Sequence, residues 1–189
     1  MPAKKRISSV VVTLPVSKLS DLKAEIASFS KSVLRTEAWC RTANELIAAM
    51  KLLEPHVKRF WECEGDVRPR QSLINVHMML AGFAIENLCK GYLAGRLSSK
   101  ERRDVEAGVL PSSLKTHDLL KLVEKTGMTI CVTEKYLIMR LSETVVWRGR
   151  YPIATSHDWF RAFAQINCDI DDIETLLQRL RRHVGAEKS

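Results

Sequence analysis

The chain has 189 residues, enough for one domain with a real hydrophobic core, and its 46% apolar content with only eight glycines and six prolines excludes a disordered or fibrous protein. A net charge of +8 at neutral pH favours an anionic partner, nucleic acid first. Five scattered cysteines, odd in number and without a C-x-x-C pair, point away from a disulfide framework and from a zinc site, so no metal or cofactor is expected.

Free thiols suit a reducing, cytoplasmic setting. No apolar run approaches the roughly 18 residues of a membrane span, so no membrane association is expected. Lys4-Lys5-Arg6 followed by Ile7 to Val16 faintly imitates a secretion signal. Ser8, Ser9, Thr13 and Pro15 interrupt its short apolar part, so residues 1–17 read as a basic N-terminal arm. Residues 18–184 read as one helical-bundle domain and 185–189 as a tail.

Leu22, Ile26, Phe29 and Val33 keep helical spacing over Leu19 to Arg35, and Trp39, Ala43, Leu46, Met50 and Leu53 extend it into a second segment. Pro55 is expected to break or kink that run after Glu54, and Gly65 to Pro69 to form a loop. The next predicted helix, Gln71 to Leu97, is apolar on most sides and carries small residues such as Ala81, Gly82 and Gly91, the pattern of a central helix with close neighbours. Ser98 or Ser99 caps a short turn through Glu106, ended by Gly108 and Pro111. Thr116 is expected to cap a helix from His117 to Lys125, stopped by Gly127, and Thr133 another through about Val146. Phe163, Ile166, Ile170, Ile173, Leu177, Leu180 and Val184 then mark a long terminal helix, entered through a Thr155–Asp158 capping pattern. Acids in its first half and arginines in its last turn match the helix dipole. The whole is an all-α antiparallel helical bundle of about five principal helices.

The segment Trp147-Arg148-Gly149-Arg150-Tyr151-Pro152, with His157 just beyond, gathers the most chemistry. The guanidiniums of Arg148 and Arg150 supply forked donors for phosphate, and Tyr151 can stack on a base or hydrogen-bond. His157, in a first helical turn, is placed to move a proton as base or acid, with Arg150 stabilising charge at phosphorus. The other reading is a rigid elbow of Trp147, Tyr151 and Pro152 whose arginines pair with acids. Glu86 and Lys90 share a helix face in the favourable order for an ion pair. That pair either flanks a ligand groove, making Lys90 a phosphate contact, or is structural. His77 reads as a packed core histidine. His117 and Asp118 read as a helix start. The basic clusters at 96–103 and 179–182 are either anion-binding or helix-end charges.

Several of these segments together resemble the HEPN (higher eukaryotes and prokaryotes nucleotide-binding) superfamily. Glu86-Asn87-Leu88-Cys89-Lys90-Gly91-Tyr92-Leu93 resembles its Glu-plus-Lys core helix, and Lys115-Thr116-His117-Asp118-Leu119-Leu120 its His-Asp-Leu helix start. The Tyr136 helix, the Arg-Gly-Arg-Tyr-Pro elbow and the long terminal helix follow in the family's order, so the resemblance covers roughly residues 71–183. It implies a helical bundle that dimerises. It also implies RNA or nucleotide engagement in toxin–antitoxin, defence or stress systems, and a partner protein such as an antitoxin or nucleotidyltransferase. Active relatives carry Arg, usually followed by Asn, then His after four to six intervening residues; here Arg150 and His157 have six between them, and Gly149 follows Arg148 where Asn is expected. The resemblance therefore implies either a metal-independent ribonuclease acting through Arg150 and His157, with Arg148, Tyr151 and Lys90 on the nucleic acid, or a catalytically inactive interaction module.

Overall fold

The computed structural model describes the backbone of residues 16–62, 68–148 and 169–186, and the side chains of 20–59, 73–146 and 169–186. The described residues are all-helical, with no strand among them. The long helices are α1 (Val16–Leu34), α2 (Thr36–Glu62), α3 (Arg68–Ala94), α7 (Val132–Glu143) and α8 (Asp169–Val184). Three short ones, α4 (Ser99–Glu106), α5 (Ser112–Lys115) and α6 (Leu119–Thr126), fill the interval between α3 and α7. A five-residue π-helical turn, Thr144–Arg148, carries α7 onward.

The most apolar helix is the most central. α3 contacts α2, α5, α6, α7, the π turn and α8, and its Ala81, Ala84, Ile85 and Leu88 are wholly buried. Each fully buried leucine of this core, such as Leu88, Leu119, Leu141 or Leu180, contributes about 2 kcal/mol relative to exposure. α2 lies along α3 over the largest of these interfaces. The two run antiparallel, because Gly91 near the end of α3 meets Thr36 and Trp39 at the start of α2. A methyl group on Gly91 would come within 2.8 Å of Trp39 Cβ, so only glycine allows this approach. At Gly82 the same methyl would overlap Val145 Cγ2, which is how the π turn reaches the side of α3.

α8 runs antiparallel to α7, since Asp169 at its start pairs with Arg140 late in α7, and Arg179 pairs with Glu134 at the beginning of α7. Asp169, Asp171 and Asp172 in the first turn of α8 and Arg181, Arg182 and His183 in its last turn complement the dipole. A smaller cluster of Val33, Ala94, Leu97, Val105 and Leu114 joins α1 and α4 to the end of α3.

Several local expectations are corrected. Pro55 does not break α2, which continues to Glu62. The ring is exposed, so the carbonyl that loses its partner faces water, while buried Met50 and Val57 hold both sides of the helix to the core. α3 begins at Arg68, with Pro69 in its first turn, where a missing N–H costs nothing. α6 is capped by Asp118, whose Oδ1 accepts from Lys121 N at 3.2 Å, rather than by Thr116. At the start of α7 Cys131 takes the cap position in place of Thr133, and its N–H donates to Glu134 Oε2 at 2.9 Å. α1 includes Val16 and Ser17, which the sequence assigned to the basic arm. The other N-terminal residues and the Thr155–Asp158 entry to the last helix lie outside the described residues.

Candidate functional site

Glu86 and Lys90 stand one turn apart on α3, 7% and 5% exposed, with Lys90 Nζ 2.7 Å from Glu86 Oε1. Further hydrogen bonds to the carboxylate offset part of the desolvation cost of an ion pair this buried. His117 provides one: its Nδ1 lies 3.0 Å from Glu86 Oε2 and 3.1 Å from Oε1. Burial, with Glu86 nearby, pushes the Cys89 thiol on the same helix far up, which leaves it an inert packing group.

The local chain fixes His117 by fixing its successor. Asp118 N donates to Thr116 Oγ1 at 3.1 Å, and the Asp118 carboxylate caps α6 and pairs with Lys121 Nζ at 2.8 Å. Partial burial works to raise the Asp118 carboxyl, but the bonds from Lys121 outweigh it and hold the group below the usual carboxylate range. One further bond, from Leu119 N to Ser142 Oγ at 3.0 Å, ties the start of α6 to α7.

The histidine borders an open cleft of about 460 Å³ between the start of α6 and the α7 arm. Leu120, Met139 and Val146 give its apolar walls, and His117, Asp118, Ser142 and Glu143 its polar groups. The His117 side chain is 55% exposed although its partner Glu86 is buried. In the neutral ring, the nitrogen facing the carboxylate carries the hydrogen, so Nε2 is left as an acceptor. Val146 belongs to the π turn, a local widening frequently found at functional sites. Arg148 ends that turn, so the backbone leaving the cleft wall leads straight into the arginine-rich segment.

No family model, curated protein or solved structure matches this chain.

Of the residues singled out in the sequence, Arg148 is described only as backbone, and Arg150, Tyr151 and His157 lie outside the described residues. Lys90 is placed behind Glu86, with its ammonium bound to that carboxylate and nearly out of solvent, so it positions the site from within. Two arginines of the 96–103 cluster are used at a helix end. Arg96 lies 3.5 Å over the Tyr92 ring and donates to Tyr92 O, and Arg102 donates to Leu97 O and Gly95 O. Lys100 and Arg103 in the same cluster are exposed. Among the described residues no three His, Cys, Asp or Glu side chains group as a metal site, and no helix is long and apolar enough to cross a membrane.

The contact that sequence reasoning missed is Glu86 to His117. Both segments were singled out, but 31 residues separate them, and only the packing of α6 on α3 brings them together. Met139, Ser142 and Glu143 carried no signal beyond helical periodicity.

Proposed function

We propose that this chain is a HEPN-like bundle that engages RNA or a nucleotide, in a cytoplasmic defence or stress setting, and acts as a homodimer. The observation that carries the reading is the hydrogen bond between His117 and Glu86. It joins the two segments that resemble the family's core helix and His-Asp-Leu start into one constellation beside an open cleft. The +8 charge supports an anionic partner. The arginine-rich segment follows directly from the cleft wall. In this reading Arg148, Arg150 and Tyr151 contact the sugar–phosphate chain. His157 takes or returns the proton of a ribose hydroxyl, and cleavage needs no metal. Labelled RNA incubated with the protein in EDTA should be cut, and Arg150→Ala or His157→Ala should abolish cutting. Equal cutting by both variants would remove that segment from the mechanism.

One observation favours the second reading, an inactive interaction module. Val132, Tyr136 and Met139 recur at helical spacing on α7 and are 70%, 61% and 39% exposed, which makes an exposed apolar stripe along that helix. On this reading the stripe meets a second copy or a partner protein such as an antitoxin or nucleotidyltransferase. Tyr136→Lys should then lower the mass measured by light scattering to that of a monomer, or release the copurifying partner, while RNA is left uncut by the parent protein.

A further inference from the structure

Two basic clusters that lie far apart in the chain meet at one end of the bundle. Tyr92, in the last turn of α3, joins them: the Arg96 guanidinium lies 3.5 Å over its ring, and the ring of His183, in the last turn of α8, is 5.7 Å away between centroids. Arg102 of α4 reaches the same place by donating to Gly95 O. Gly95 in turn lies against the start of α2, where a methyl group on it would stand 3.2 Å from Thr36 Cγ2. Arg35 precedes Thr36 and is exposed. Burial and then Glu37 push the Cys40 thiol up, and the charge of Arg181 pulls it back, so Arg181 stands beside the same wall. Between the start of α2 and the ends of α3 and α8 opens a pocket of about 250 Å³, with Thr36, Glu37, Cys40, Tyr92 and Arg96 in its lining.

Service at helix ends does not exhaust these cations. Lys51, Lys90, Lys121, Arg140 and Arg179 each have a carboxylate partner, whereas Arg35, Arg96, Arg102 and Arg181 have none among the described residues. A guanidinium carries five N–H donors, and Arg96 gives one bond to Tyr92 O while Arg102 gives two, to Leu97 O and Gly95 O. Arg181 Nε is shut away from solvent without a hydrogen-bond partner among the described residues. Glu37 is the one acid among the described lining residues of the pocket. Cations gathered in this way repel one another, and an anion laid across them relieves that cost.

We infer that this end of the bundle is a phosphate-binding surface for a strand of RNA, with Arg96 on one phosphate at the pocket and Arg35, Arg102 and Arg181 on its neighbours. The inference rests on the RNA reading above and adds a surface that the reading does not use. Arg96 is held flat over Tyr92, so its fork is oriented before the phosphate arrives. The pocket is smaller than the roughly 300–1,000 Å³ of small-molecule sites, which suits one group of a strand rather than a whole nucleotide.

The test is fluorescence anisotropy of a labelled single-stranded RNA of about 12 nucleotides with the full chain, over a series of salt concentrations in EDTA. Each phosphate contact removed should flatten the slope of log K against log salt by about 0.7. Arg35→Gln with Arg96→Gln should therefore flatten it by about 1.4 and weaken binding about twentyfold at 0.1 M salt. Glu37→Gln should strengthen binding severalfold. Lys51→Gln with Lys58→Gln makes the same change in net charge roughly 22 and 33 Å further along α2, and should alter affinity far less. Circular dichroism verifies that each variant folds. RNA binding that both double variants weaken equally, or that neither weakens, overturns the surface and spares the RNA reading. A parent chain that binds no RNA overturns both. Polyglutamate bound as tightly as RNA, with the same loss in Arg35→Gln with Arg96→Gln, would make the partner an acidic protein and overturn the assignment to RNA.

Discussion

His77 gives the sharpest quantitative test of the packing. It sits on α3 at 1% exposure, with no hydrogen-bond partner for Nε2 among the described residues. Burial, and then the positive charge of Lys58, lowers its pKa from 6.5 to about 4. In the unfolded chain the ring titrates normally, so between pH 6.5 and 4 the unfolded state binds the extra proton and the folded state does not. Stability contributed by the neutral ring is therefore present at pH 7 and lost as the pH falls through that window. The linkage amounts to about 2 kcal/mol between pH 7 and pH 5, and about 3 kcal/mol by pH 4. His77→Met keeps an unbranched side chain of similar reach in the core and cannot titrate. Urea unfolding followed by circular dichroism at pH 7 and pH 5 should show the parent losing about 2 kcal/mol more than the variant. Parallel losses, within about 0.5 kcal/mol, would mean that His77 is protonated in the fold and that its surroundings are misread.

Other substitutions test other contacts. Lys90→Met leaves the Glu86 charge buried without its cation and should cost about 3–5 kcal/mol in urea unfolding, whereas Glu86→Leu combined with Lys90→Met should recover much of it. Gly82→Ala drives a methyl into Val145 and should cost about 1–3 kcal/mol, read as a lowered urea midpoint; an unchanged midpoint would show that the π turn yields freely. Cys131 is exposed and Cys89 fully buried, so in the native protein a thiol reagent should label Cys131 rapidly and Cys89 only on unfolding, as peptide mass mapping would show.

The helices were legible where one face is apolar. Periodicity located α1, α2, α3, α7 and the described part of α8, and the small residues of α3 announced its central place. Pro55 misled because the sequence does not show which side of a helix faces water, and a proline on the wet side removes a hydrogen bond that solvent replaces. The caps misled for a related reason. Thr116, Asp118, Cys131 and Thr133 are near neighbours that can all donate or accept, and which one serves depends on a backbone turn that packing decides. The site was half visible. Glu86 with Lys90 has a spacing signature and His117 with Asp118 a helix-start signature, but nothing in either says that they touch.

That contact separates a structural role from a functional one. Glu86 serves two partners: Lys90, within its own helix and buried, and His117, on another segment and more than half exposed. If the constellation only held α6 to α3, the exposed histidine would be its least important member, because the fully buried Leu119, Leu122 and Val123 already anchor α6 in the core. Removing the imidazole should then cost only about 1 kcal/mol, since Glu86 keeps Lys90. A fold gains little by tethering a solvent-facing ring to a buried carboxylate that is already paired. A binding site gains a ring nitrogen that points one way. His117→Ala is thus expected to cost no more than about 1 kcal/mol of stability while weakening the proposed RNA or nucleotide binding. Lys90→Met should lower both, because it acts on the ring only through Glu86 and on the fold directly.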